Sequence, residues 1–262
     1  MWWNPFTFEE GQWYLWRFAG AEIAVCRTEE TWQGFCKSLR WEKRDASCTG
    51  PLQEKPAVQT ALQTNVLNAK TASLRPFLPE KPFLINLGGL KLYPGMKITL
   101  ELEIPPALYL MAEKDGNTPE FIFNFVPFTL KETWHGKNSM EGFFCSSLPV
   151  NTGVPCNPAI HCSLTIRNRT KNAAELNAIP FYAGGLSVYE KDRKLISESP
   201  VIDTLENNFR MAVETADTEY GTMLTQGNKN DPNLIRRGTS ALSDLGGGLQ
   251  QGTRIIKNIT GL

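Results

Sequence analysis

Chemistry in this chain would have to gather around very few side chains. The stretch PCNPAIHCSLTIRNRT, from Pro155 to Thr170, holds Cys156, His161 and Cys162, and the only other histidine is His135. With Cys145, these residues could supply four ligands to a thiophilic metal, or a thiol activated by a neighbouring imidazole. The spacing argues against both. Zinc sites place their ligands in close pairs of the C-x₂-C kind, and the cysteines at 26, 36, 48, 145, 156 and 162 contain no such pair. If residues 162 to 168 form a strand, consecutive residues face opposite ways. His161 then sides with Ser163, Thr165 and Arg167, while Cys162 sides with Leu164 and Ile166. Cys156, in a loop bounded by Pro155 and Pro158, is left as the one candidate reactive thiol, and no cofactor or metal is expected.

Other chemistries leave fainter traces. Glu101 and Glu103 share one face of an alternating strand, about 7 Å apart at the backbone, a spacing compatible with paired-carboxylate catalysis. Lys97 and Thr99 lie on that same face, which is the pattern of a solvated sheet surface. There is no G-x-S-x-G nucleophile elbow, and GGGLQQG near the C-terminus lacks the spacing of a phosphate cradle. Six of the seven tryptophans fall in the first 41 residues: Trp2, Trp3, Trp13, Trp16, Trp32 and Trp41. Trp2, Trp3 or Trp16 could form a stacking platform for sugars or a contact for a partner. Equally, Tyr14, Trp16 and Phe18 on one face and Trp13 and Leu15 on the other describe a strand buried on both sides.

The elements that must position these residues repeat with period two. MKITLELEI, Met96 to Ile104, alternates without a break and follows the turn pair Pro94-Gly95 and the run FLINLGGLKLY. Residues 83 to 104 therefore predict a hairpin. Similar runs cover 12–18, 22–27, 121–128, 142–148, 162–168, 174–182, 186–190 and 195–198, separated by Gly, Pro and Asn clusters. The pattern predicts a mainly β fold, an antiparallel sandwich-like domain of about nine or ten strands, over residues 1–215. Residues 42–74 are polar and lack a strong period, and 57–72 could hold a helix. GGLKLY (Gly88 to Tyr93) and GGLSVY (Gly184 to Tyr189) echo one another, and paired glycines within a strand mark a bulge or a close backbone approach.

Residues 216–262 are expected to be a flexible tail. Within it Leu242, Leu245, Leu249, Ile256 and Ile259 keep a helical spacing interrupted by Gly246 to Gly248, a weak amphipathic segment over 240–262 suited to a partner or to self-association. Arg236, Arg237, Arg254 and Lys257 make the tail mildly basic, which leaves room for weak contact with a membrane surface. Lys plus Arg and Asp plus Glu number 27 each, so no global field draws nucleic acid. Neither a signal peptide nor a transmembrane run is evident, and a cytoplasmic chain would keep its six cysteines reduced.

The order of three segments carries a resemblance. LRPFLPEKPFLINLGGLKLYPGMKITLELEIPPALYL has a Pro-Gly turn leading to an alternating strand that ends in Pro. PEFIFNFVPFTLKETWHGKNSMEGFFCSS brings a Cys-bearing strand, and SLTIRNRTKNAAELNAIPFYAGGLSVYEKDRKL an I-R-N-x-T strand and a short hairpin. Over residues 74–200 the chain resembles the β-rich family catalogued as domain of unknown function 432. That resemblance implies no established activity and no catalytic residues. The reading as a whole is a non-enzymatic binding or assembly module of unknown partner. The alternatives are a metal- or thiol-dependent enzyme around Cys145, Cys156, His161 and Cys162, and a carbohydrate-binding sandwich using the N-terminal tryptophans.

Overall fold

The computed structural model describes residues 1–18, 20–29, 31–41, 48–57, 63–113, 119–136, 142–148, 158–205, 209–213 and 220–227. Every regular element among them is a strand. The first ten are β1 (Phe6–Thr7), β2 (Trp13–Phe18), β3 (Ala21–Arg27), β4 (Thr31–Lys37), β5 (Leu39–Arg40), β6 (Cys48–Gln53), β7 (Gln63–Val66), β8 (Thr71–Phe77), β9 (Phe83–Leu92) and β10 (Lys97–Ile104). Then come β11 (Ala107–Ala112), β12 (Glu120–Phe125), β13 (Phe128–Thr129), β14 (Glu132–Gly136), β15 (Gly142–Leu148) and β16 (Ile160–Asn168). The last are β17 (Ala174–Phe181), β18 (Val188–Lys191), β19 (Lys194–Ser197), β20 (Pro200–Thr204), β21 (Phe209–Val213) and β22 (Thr222–Thr225). The fold is thus mainly β, with several antiparallel sheets, as the alternation predicts. The strands outnumber the nine or ten expected because many are too short to show a period. The helix considered for 57–72 does not form among the described residues: β7 and the start of β8 occupy it. No described helix is long and apolar enough to cross a membrane.

The chain divides into two compact units. Unit 1 takes Met1–Phe77, Pro105–Thr129 and Val154–Ala159. Its five-stranded sheet runs β6-β2-β3-β4-β7 and its four-stranded sheet β1-β8-β11-β12. Tyr14, Trp16 and Phe18 of β2 are buried on one face, and Phe8 touches Tyr14, Trp16 and Trp32, with centroids 5.0, 6.1 and 5.1 Å away. Leu15, Ala24 and Phe35 form a second buried cluster on the other face, with Trp13 against it. Facing residue sets are therefore apolar on both sides, which is why β2 shows so weak an alternation. At Gly34 a Cβ would press on the rings of Phe123 and Phe125, so glycine lets the two sheets close without moving those side chains. The facing edges β7 and β12 are joined by side chains: Asn65 Nδ2 donates to Ile122 O at 2.9 Å and Gln63 Nε2 to Asn124 O at 3.4 Å.

Unit 2 takes Leu78–Ile104, Leu130–Gly153 and Ile160–Leu262. One sheet runs β14-β15-β9-β17; the other runs β21-β20-β16-β19-β18-β22, with β10 also paired to β16. The expected hairpin of 83–104 is corrected here. β9 pairs with β15 and β17, and β10 with β16, so the Pro94-Gly95 turn carries the chain from one sheet into another. Asn168 fixes that corner. Its backbone bonds Gly95 N and Met96 O, and its side chain donates to Leu92 O. Gly88 and Gly89, at φ 61° and 81°, form the bulge foreseen in GGLKLY, opposite Asn177. In GGLSVY the two glycines lie in a turn instead, closed by Leu186 N donating to Ala183 O. The β18–β19 hairpin forms as expected. β22 pairs with β18, so ordered sheet continues past residue 215.

Candidate functional site

Of the residues singled out for metal or thiol chemistry, His161 and Cys162 are turned apart by the sheet. His161 and Cys162 open β16 on opposite faces. Cys162 is fully buried between Leu164 and Ile160 on the apolar face, and burial pushes its thiol up to about 12. Cys145, on β15, is buried as well, and the same cause raises it to about 11 against the opposing charge of Lys81. Both are thereby held as thiols, the unreactive form. Cys156 and the side chain of His135 lie outside the described residues. Among the described residues no three His, Cys, Asp or Glu side chains are grouped to hold a metal ion.

What β16 does bring together is two polar columns. Antiparallel register sets Glu101 against Ser163 and Glu103 against His161, with Thr99 opposite Thr165 and Lys97 opposite Arg167. Ser163 Oγ lies 2.8 and 2.7 Å from the two Glu101 oxygens and donates to that carboxylate. His161 Nδ1 stands 4.0 Å from Glu103 Oε1. Arg167 turns to Asp203 on β20 with Nε at 2.7 Å and a second contact of 3.2 Å. A serine, a histidine and two carboxylates are therefore neighbours, yet the serine hydroxyl is engaged by Glu101 rather than by the imidazole. The arrangement is a set of cross-strand pairs of the kind that stabilise a half-exposed sheet.

The N-terminal tryptophans Trp2, Trp3 and Trp16 lie in the interior of unit 1. Trp2 and Trp3 are 7% and 8% exposed, edge-to-face with one another at 4.9 Å, and Trp2 packs on Phe18 at 5.2 Å. Trp16 is 1% exposed and donates its indole N–H to Trp2 O at 3.3 Å. These rings lie in the core of unit 1, and Trp16 buries its large apolar body while its one polar atom stays bonded. Leu242, Leu245, Leu249, Ile256 and Ile259 lie outside the described residues.

A surface not foreseen in the sequence lies on the outer face of the four-stranded sheet of unit 1. Strand register sets Arg75, Tyr109 and Asn124 in one row and Ser73, Met111 and Phe121 in the next. Leu74, Leu108, Leu110 and Phe123, on the inner face, are all buried. Phe77 and Tyr109 stack with centroids 4.1 Å apart and planes 21° apart, and Phe121 meets Tyr109 edge-to-face at 5.7 Å. Phe121 is 49% exposed. Beside this aromatic row, Arg75 donates to Ser73 Oγ at 3.0 Å and to Glu113 Oε1 at 2.7 Å, and Ser73 Oγ also bonds Glu113. Three rings partly in water, next to a satisfied guanidinium–hydroxyl–carboxylate group, form a mixed apolar and polar surface on a rigid support. The signal was available in TASLRPF and ALYLMA, where Thr71, Ser73, Arg75 and Phe77, then Tyr109 and Met111, hold alternate positions. It was obscured by the polar stretch before it and by the register shift in β11–β12 between Leu110 and Met111.

The model of the family described as protein of unknown function (DUF432) matches residues 2–237, and the chain belongs to that family. No curated protein and no solved structure matches the chain.

Proposed function

We propose that this protein is a non-catalytic binding module whose ligand surface is the outer face of β8, β11 and β12. The observation that carries the reading is the set Phe77, Tyr109 and Phe121, with Tyr109 touching both phenylalanines and all three partly exposed beside Arg75, Ser73 and Glu113. Apolar rings with a few fixed polar groups are the usual composition of a ligand site. Strand positions hold such groups more rigidly than loops do. The neighbouring edge is closed to strand addition, because the Ile122 and Asn124 carbonyls already accept from Asn65 and Gln63. A reducing compartment suits the chain, since the five described cysteines are all unpaired.

Amide-shift mapping with oligosaccharides, peptides and nucleotides tests this. At least one class should shift signals gathered on Ser73, Arg75, Tyr109, Phe121 and Asn124. If every class leaves those residues unmoved, the reading is wrong.

A second role, in assembly, belongs to the tail. Gly227 N donates to Ser187 Oγ at 3.2 Å beside the edge strand β22, so the point at which the tail begins is anchored. In the sequence beyond it, Leu242, Leu245, Leu249, Ile256 and Ile259 keep the helical spacing suited to a partner or a second copy. Removal of 228–262 should leave the fold intact and reduce oligomer size or partner capture in size-exclusion chromatography. An unchanged elution volume and partner content would refute it.

A further inference from the structure

We infer that the ligand of the β8–β11–β12 face is a neutral oligosaccharide, an inference that rests on the binding role proposed above. The argument begins with charge. Arg75 on β8 and Glu113, just past the end of β11, are paired with one another at 2.7 Å, with Ser73 bonded to both. An anionic ligand would meet the Glu113 carboxylate beside the guanidinium, and a cationic one would meet Arg75 beside the carboxylate, so either charge is repelled as well as attracted. An uncharged ligand is repelled by neither, and it can use the remaining donor and acceptor capacity of both groups.

Nucleic acid is disfavoured for the same reason. Its affinity comes from unpaired Lys and Arg that neutralise phosphates. The chain is balanced at 27 basic and 27 acidic residues, and the arginine on this face is paired. Peptide addition along the β12 edge is blocked by the amide side chains of Asn65 and Gln63.

Shape then selects among neutral ligands. A sugar ring has one face of C–H groups and a rim of hydroxyls. It needs an exposed aromatic ring to stack on and polar groups beside that ring. Phe121 supplies the half-exposed ring, Tyr109 stands edge-to-face against it at 5.7 Å, and Asn124 is exposed directly across from Tyr109. From the Phe77 position to the Ser73 position is four residues of strand, about 13 Å, so the surface accommodates several linked rings rather than one. Affinity is set chiefly by ring stacking, and the buried Ser73 holds Arg75 and Glu113 at a fixed angle to it.

The test is titration of the full chain with neutral oligosaccharides built from glucose, mannose, galactose or N-acetylglucosamine, with acidic oligosaccharides and peptides in parallel arms. Amide shifts are read at Ser73, Arg75, Tyr109, Phe121 and Asn124. At least one neutral oligosaccharide should shift these signals, and Phe121→Ala should weaken its binding at least tenfold. Phe121→Trp should retain binding, and Phe144→Ala, which removes an exposed ring of unit 2, should leave it unchanged. Circular dichroism of each variant separates lost binding from lost fold.

The inference is overturned if no neutral oligosaccharide shifts these residues at millimolar concentration, or if Phe121→Ala binds as the parent does. Shifts on this face from peptides or acidic saccharides alone overturn the saccharide inference and leave the binding role standing. Shifts from no class, or only elsewhere, overturn both.

Discussion

Asn168 should be among the most costly single positions in unit 2. Its side chain is fully buried and makes five hydrogen bonds. Nδ2 donates to Leu92 O and to Asn172 O, each at 2.8 Å. Oδ1 accepts from Thr170 N at 2.9 Å, Thr170 Oγ1 at 2.8 Å and Thr204 Oγ1 at 3.1 Å. In Asn168→Ala, water can replace the amide at Thr170 and Asn172, which are not fully buried. It cannot readily do so at Thr204 or at the Leu92 carbonyl, where the residues are 0% and 2% exposed. Two buried partners left at about 1–3 kcal/mol each predict a loss of about 4 kcal/mol. For a chain of this size that lowers the melting temperature by about 10 °C. Asn168→Asp should be worse near neutral pH, because a carboxylate would face two carbonyl oxygens. Burial raises the folded-state pKa of that new carboxyl group, so its penalty is absent below the unfolded-state pKa and grows as pH rises through the range above it. Urea denaturation of the parent and both variants at pH 4.5 and pH 7.5 measures this. A loss under about 1 kcal/mol for Asn168→Ala, or no relative recovery of Asn168→Asp in acid, would refute the reasoning.

Three further outcomes are expected. An alkylating reagent at pH 8 should leave Cys145 and Cys162 unmodified in the folded protein and label them on unfolding. Their raised pKa values, to about 11 and about 12, mean their contribution to stability is intact below the ordinary value of 9.0 and is lost as pH rises through the folded values. Rapid labelling of either, or a urea midpoint identical at pH 8 and pH 10.5, counts against this. Gly34→Ala should cost about 1–3 kcal/mol by overpacking, since its Cβ would sit 2.7 Å from Phe123 Cδ2 and 2.9 Å from Phe125 Cζ; a variant as stable as the parent would mean the two sheets have slack there. Deleting 218–262 should lower the melting temperature relative to deleting 228–262. Only the longer deletion removes β22 and Tyr220, which stacks on Tyr189 at 5.0 Å and accepts from Ser199 N at 3.1 Å. Equal melting temperatures would show that β22 contributes nothing.

Period two was legible wherever one face is wet and one dry. β10 and β16 were therefore readable residue by residue, and so was the separation of His161 from Cys162. Which strand pairs with which was not legible. Register between β10 and β16 depends on partners more than fifty residues apart, and a Pro-Gly turn serves a hairpin and a sheet-to-sheet corner equally well. The tie that distinguishes them is Asn168, which in sequence is one more polar residue at a strand end. The I-R-N-x-T pattern acquires a physical reason from this: Asn168 needs Thr170 as the donor to its oxygen, and Thr204 as well, while Arg167 needs Asp203 on the same neighbouring strand.

The aromatic residues are read by the same physics. Density of tryptophan reports burial more than binding, since a large ring is worth most where water is excluded. Trp2, Trp3, Trp16 and Trp32 accordingly fill the core. The candidate ligand surface is made of phenylalanine and tyrosine that remain half wet beside paired charges, and only the register of β8, β11 and β12 puts those residues in adjacent rows. A binding face of this type is a property of three strands at once. No single segment of the chain contains it, and so the sequence offers its parts without their adjacency.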